Sequence, residues 1–237
     1  MRFSGGSHRI CAMPFHFRPH IRVASCERDL VILNLQTDTY QVVMDVEPDT
    51  LNASLGASWN AEDTPILRVL REIGAVQESV STYDQVVPVT LSGFCEQRWM
   101  FPAVDEAVEG ICRLGSLIEV LRAGWTMKRT TLGRIAGCLS PRDAILVTGV
   151  ERQIQFQQMA GLMRSLNRAF VWDLSGNKCL TYSYALVRLA RRLGIPAKLV
   201  VGVRTRPFFS HAWVELHGEV VSDTPTLRQS LAVILEA

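Results

Sequence analysis

Hydrophobic positions in the last third of the chain change period twice. Leu180, Tyr184, Val187, Ala190 and Leu193 recur at spacings of three and four, which places them on one face of a helix. Asn177 stands at its N-cap, Gly194 falls where a left-handed C-terminal cap belongs, and Pro196 prevents continuation. The K-L-V-V-G-V run that follows reads as a strand, and strict alternation then takes over in H-A-W-V-E-L. Ala212, Val214 and Leu216 share one face there, and His211, Trp213 and Glu215 the other. The returning strand carries Asp223, and the turn decides which face it joins. A two-residue His217-Gly218 turn pairs Leu216 with Glu219 and sends Asp223 to the face opposite His211. A three-residue loop, His217-Gly218-Glu219, pairs Trp213 with Asp223 and leaves His211 as its diagonal neighbour. The three-residue loop is the predicted one, with Gly218 or its neighbour in the left-handed conformation.

Earlier in the chain the pattern is different. Residues 1–16 read as a disordered lead-in, and 21–24, 29–35 and 39–44 as three short strands, with Gln36-Thr37-Asp38 turning between the last two. A helix follows over 48–55. Another is capped by Asp63 or Thr64, has Pro65 just inside and ends at Gly74, with Ile66, Leu67, Leu70 and Ile73 as its apolar stripe. Three strands followed by helices make 17–80 a small winged-helix-like unit. Residues 81–103, with Pro88, Gly93 and Pro102, read as a linker with room for one strand over 85–91. A helix over 104–122 is expected from Val104, Val108, Ile111, Leu114, Ile118 and Leu121. A further helix starts at Ser140-Pro-Arg-Asp143 and runs towards Asn167, with a break at Gly149 or Gly161; its Phe156, Met159, Met163 and Leu166 read as core. The fold class is therefore α+β, the small N-terminal unit preceding a larger domain over 104–237.

Composition narrows the function classes. The chain has 237 residues, 48% of them hydrophobic, and a net charge of +2 from 25 basic and 23 acidic side chains. That is enough for packed cores and gives no electrostatic case for nucleic acid or an acidic membrane. Residues 63–73 carry two arginines against two acids, so the winged-helix-like unit has no basic stripe for DNA. Cysteines 11, 26, 95, 112, 138 and 179 form neither a C-x-x-C pair nor a zinc spacing, which argues against a metal site and for a reducing compartment. No apolar run near the start suits a signal peptide or a membrane span, so the expected location is the cytoplasm.

The chemistry concentrates on three residues. Cys179 opens a helix, where free N–H groups and the positive end of the dipole favour a thiolate, and a cation nearby lowers the thiol further from its usual value of about 8.5. Lys178 is adjacent in sequence, and a protonated His211 is the stronger cation if the fold brings it close. Cys179 as nucleophile, His211 as general base and Asp223 as orienter form a triad across a helix terminus and two strands. The Cys179 backbone N–H is the first oxyanion donor. Trp213 flanks His211, shields the imidazole–carboxylate contact and joins the candidate substrate-binding residues. His8, His16, His20 and His217 read as surface or turn residues.

K-C-L, the helix ending R-R-L-G-I-P-A-K-L-V-V-G-V, F-F-S-H-A-W-V-E and G-E-V-V-S-D-T-P together resemble the catalytic core of the transglutaminase-like cysteine peptidases of lasso peptide biosynthesis, the B proteins. The resemblance implies a papain-like triad of Cys179, His211 and Asp223 that cleaves the leader from a ribosomally made precursor. It also implies an asparagine-synthetase-like cyclase partner that closes the macrolactam, and dependence on ATP. No G-x-x-x-x-G-K-[ST] occurs, so a nucleotide is expected on the partner or at an unrecognised site. D-L-V-I-L-N-L-Q-T-D-T-Y-Q-V-V is similar to PqqD-like peptide-recognition domains. That similarity implies a leader added as a strand along Thr39, Tyr40, Gln41, Val42 and Val43, docking against Leu67, Leu70 and Arg71 of the following helix. Read from the residues alone, Tyr40 and Val42 pack inward. The rival readings are an acyltransferase, in which an amine replaces water, and a non-catalytic peptide scaffold.

Overall fold

The computed structural model describes residues 14–56, 64–78, 85–93, 99–105, 109–110, 113–139 and 148–237. Outside them lie residues 1–13 of the expected lead-in with His8, the alternative cap Asp63, Val108 and Ile111, the helix start at 140–143, and Cys11, Cys95 and Cys112. Phe15 is not part of a lead-in. It is buried in β1 (Phe15–Phe17), which pairs antiparallel with β5 (Val76–Glu78).

The N-terminal sheet has β2 (Ile21–Cys26), β3 (Asp29–Asn34) and β4 (Thr39–Val43) as an antiparallel meander, matching the three expected strands within two residues. Helices α1 (Pro48–Gly56) and α2 (Pro65–Glu72) cover one face, and the Thr64 hydroxyl accepts the Leu67 N–H at the start of α2. Leu30 and Ile32 point into that small core, while Val31 and Leu33 enter the large core of the C-terminal half, so β3 is buried on both faces. The described parts of 81–103 are stitched to both halves. There β6 (Pro88–Val89) runs parallel beside β2, and the Trp99 ring lies 5.5 Å from Tyr182.

Polar ties hold β4 against the C-terminal half. Asp38, in the left-handed region at φ 55°, accepts the Leu132 N–H at 2.8 Å. Arg206 grips Asp29 through two bonds of 2.9 Å and reaches Asp45 at 3.2 Å. The Arg206 bonds hold the Asp29 carboxyl well below the usual carboxylate range, against the opposing effect of burial.

The C-terminal half contains α3 (Arg113–Arg129), α4 (Leu132–Cys138), α5 (Gly149–Ala169), α6 (Lys178–Arg192) and α7 (Leu227–Ser230). Its antiparallel sheet has the order β10 (Ala232–Glu236), β7 (Lys198–Arg204), β8 (Phe209–Leu216), β9 (Glu219–Val220). The helix expected over 104–122 begins at Arg113, and 104–105 and 109–110 carry no regular structure. Its expected stripe is turned outward: Leu114 is 72% and Leu121 57% exposed, while Ser116, Glu119, Val120 and Ala123 are buried. The cause is electrostatic. Glu119 forms ion pairs with Arg188 and Arg192 of α6, and that buried acid sets the inward face. Helix α5 starts at Gly149, one of the two expected break points, behind a Thr148–Glu151 capping box, and passes unbroken through Gly161, the other. Helices α4 and α7 and strand β10 are not among the expected elements, although β10 coincides with the apolar run L-A-V-I-L over 231–235.

Gly202 of β7 marks a close approach. A Cβ there would meet the Trp213 ring at 2.6 Å and the Leu231 Cβ at 2.9 Å. Gly202→Ala is expected to cost about 2 kcal/mol through overpacking, read as a lowered thermal midpoint. No helix among the described residues is long and apolar enough to cross a membrane.

Candidate active site

Helix α6 forms as its sequence dictates. Gly194, at φ 78°, donates to Arg191 and the Ile195 N–H returns to Ala190, the paired bonds of a Schellman cap. At the other end Asn177 makes no side-chain capping bond. The loop before the helix is fixed instead by buried Asp173, which accepts the Ser175 N–H at 3.1 Å, the Ser175 hydroxyl at 2.7 Å and Lys178 Nζ at 2.8 Å. Lys178 is thus committed to Asp173, and the cation at the half-buried Cys179 thiol is His211.

The turn at the end of β8 differs from the predicted one. Leu216 pairs with Glu219 across a two-residue turn in which His217 (φ 51°) and Gly218 (φ 83°) are both left-handed, a type I′ geometry. Continued, that ladder would carry Asp223 to the wrong face. It is interrupted instead: Val221 donates to the Val214 carbonyl, but the Val214 N–H goes to the Ser222 hydroxyl at 2.8 Å rather than to a backbone carbonyl. The chain leaves the sheet at this point, and Asp223 Oδ2 comes to lie 2.8 Å from His211 Nε2.

Nε2 faces the carboxylate, so Nδ1 is the imidazole nitrogen left for the thiol. Asp223 Oδ1 accepts the Thr224 N–H at 2.7 Å, leaving both carboxylate oxygens engaged. Phe209 and Trp213 stack on either side of the imidazole at 5.9 and 6.4 Å. Trp213 is fully buried and its indole N–H donates to Glu215, so it walls the histidine and offers no surface to a substrate.

These contacts set the protonation states. Burial pushes the Cys179 thiol up, but the His211 bond and charge, with the Ala212 and Leu180 N–H groups, bring it below its ordinary value. Burial pulls His211 down, and bonds to Asp223 and Cys179 reverse this and carry it to about 9. For Asp223 burial is outweighed by His211 and the Thr224 N–H, which hold the carboxyl low. Thiolate and imidazolium therefore coexist over a window that closes near pH 9. Iodoacetamide alkylation of Cys179 is expected to stay fast below the ordinary thiol value, and turnover to fall above about pH 9 as the imidazolium loses its proton. The stability His211 gains from its partners is complete below its unfolded value of 6.5 and is lost as pH rises through about 9.

Residues 120–236 match the family model described as the transglutaminase-like superfamily. The C-terminal half is a transglutaminase-like domain. The chain is also 29% identical over 217 residues to the microcin J25-processing protein McjB of Escherichia coli, covering 90% of this chain and 97% of that protein. An alignment of that length extends well beyond the transglutaminase-like domain into the N-terminal sheet, and it agrees with the resemblance read from the sequence. No solved structure matches the chain.

The N-terminal sheet supplies part of the wall of the transglutaminase-like site. A cavity of about 190 Å³ holds Cys179 and His211 together with Asp38 and Tyr40. Tyr40 packs on Phe208 at 5.4 Å and interacts with Ser210, next to His211. Burial pushes its hydroxyl up to about 12. Sequence reasoning placed Tyr40 beside a leader, not beside the thiol, because no local signal reports a contact between residues so far apart. Thr39, Gln41 and Val42 are exposed on the outer strand and Val43 is half-buried, whereas Leu67 and Leu70 are buried in the small core. Arg71 lies over the Phe15 ring at 4.6 Å. A second cavity of about 420 Å³ borders His211 and Asp223 from the side of Trp99, Met100 and Phe101. A third cavity, about 980 Å³ beside His20 and Arg134, contains none of the three. Among the described residues no three His, Cys, Asp or Glu side chains cluster as a metal site requires.

Proposed function

We propose that this chain is a cysteine peptidase that binds a lasso peptide precursor and removes its leader. The observation that carries the reading is the 2.8 Å contact between His211 and Asp223 beside a thiol brought below its ordinary value. The similarity to a protein named for processing microcin J25 supports the same reading. The Cys179 thiolate attacks the carbonyl carbon of the scissile amide, and the Cys179 backbone N–H receives the developing oxyanion. The C–N bond then breaks as the His211 Nδ1 proton passes to the leaving nitrogen, and the leader remains as a thioester. Water gives a proton to His211, attacks the thioester and frees the leader as a carboxylic acid, restoring the thiolate.

Leader recognition is assigned to the outer edge of β4, where Thr39, Gln41 and Val42 are exposed and an added strand would find unpaired backbone groups. Macrolactam closure, and any use of ATP, is assigned to an asparagine-synthetase-like cyclase partner. The test is mass spectrometry of a precursor peptide from the same gene neighbourhood, incubated with the protein with and without cyclase and ATP. Free leader ending in a carboxylic acid is the expected product. Leader joined to an amine would identify an acyltransferase, and an intact precursor under every condition would leave a scaffold.

A further inference from the structure

Two cavities meet at His211, and they are unlike. The smaller contains Cys179 and is walled by Tyr40, whose strand is the proposed leader site. The larger contains Asp223 but not Cys179. In an acyl-thiol mechanism the two halves of the substrate part at this boundary. The acyl half stays bonded to sulfur, and the amine half departs after taking a proton from the imidazole. We infer that the larger cavity is the leaving-side subsite and receives uncharged, apolar residues that follow the cleaved bond. This rests on the peptidase reading and extends it to the part of the substrate that is released.

The chemistry of the walls identifies the occupant. Trp99, Met100, Phe101, Pro102, Pro225 and Leu227 line the cavity together with the uncharged hydroxyl-bearing side chains of the 222–230 segment, and none of its described lining residues is a lysine, arginine or glutamate. Its two ionisable groups, His211 and Asp223, are bonded to one another. A charged substrate side chain there would lose water without gaining a partner. Met100 is 59% and Phe101 47% exposed, so apolar surface is held open at the rim. That rim is anchored from below: Phe101 meets Phe170 edge-on at 6.1 Å, and Trp99 packs on Phe170 at 5.3 Å. The surface therefore needs little ordering before a peptide binds.

The test uses Cys179→Ala protein, which cannot turn over, and fluorescence anisotropy with two labelled probes: the precursor, and the leader alone ending at the cleaved bond. The precursor is expected to bind about tenfold more tightly than the leader, and Met100→Ser or Phe101→Ala to reduce that difference to within about twofold while leader affinity holds. In the wild type, lysine in place of the apolar residues after the bond is expected to lower kcat/KM about tenfold or more. Equal affinity for both probes, or a preference for the precursor that survives both variants, would overturn the subsite. Equal cleavage by wild type and Cys179→Ala would instead sink the peptidase reading, an outcome the binding comparison does not depend on.

Discussion

Cys179→Ala is expected to lower precursor cleavage by about 10⁴-fold or more, roughly 5 kcal/mol of transition-state stabilisation at 1.36 kcal/mol per tenfold. The size follows from the mechanism, because without sulfur no acyl intermediate can form and His211 has no nucleophile to activate. The fold should survive the change, since Cys179 is only half-buried at a helix start and its loop is held by Asp173 and Lys178. Circular dichroism should therefore be unchanged while leader release disappears. Alkylation supplies an independent reading. Of the described cysteines, Cys26 is buried with its thiol pushed up to about 12, and Cys138 is exposed. At pH 7 iodoacetamide should label Cys179 ahead of Cys138, and prior labelling should block cleavage. Cleavage that persists in the alanine variant would mean that another group carries the reaction.

Asp223→Asn should be the second most damaging change, with kcat lower by about 10³-fold. Two donors, His211 Nε2–H and the Thr224 N–H, converge on the two carboxylate oxygens at 2.8 and 2.7 Å. An amide offers only one acceptor. If its oxygen stays with Thr224, the NH₂ faces His211 and forces the tautomer that protonates Nδ1, leaving no base for the thiol. If it turns the other way, the Thr224 N–H loses its partner. Either arrangement removes the negative charge that helps hold His211 near 9, so the alkaline limb of the pH–rate profile should move to lower pH. A purely structural role for Asp223 would lower the rate and leave that limb in place.

The sequence made the helix of Cys179 legible because its signals are local: an apolar face, Gly194 and Pro196 in register. The pairing of His211 with Asp223 was legible for a different reason, since the order of cysteine, histidine and aspartate resembled a known catalytic core. The route between those residues was not. A three-residue loop was the simplest way to bring both side chains to one face, but the chain uses a two-residue turn and then leaves the ladder through the Ser222 hydroxyl. Hydrophobic periodicity cannot report such an exchange of backbone for side-chain bonding. The inward face of α3 was misread for a related reason. Glu119 is buried because Arg188 and Arg192 meet it, and those partners lie some seventy residues away. Tyr40 reached the thiol cavity through contacts of the same long range.

A strand shared between two cores ties their fates together. Ala24, Cys26, Val31, Leu33 and Leu35 complete the hydrophobic interior behind α6 from the N-terminal side. At about 2 kcal/mol for each large apolar side chain lost from a core, losing Val31, Leu33 and Leu35 alone would cost about 6 kcal/mol, comparable with the lower part of the 5–15 kcal/mol by which a typical protein is stable. A fragment beginning at residue 104 would carry Cys179, His211 and Asp223 and is expected to lose much of its stability with that part of the core. Leader recognition and peptide chemistry should disappear in one cooperative transition, with the slowest-exchanging amides in β3.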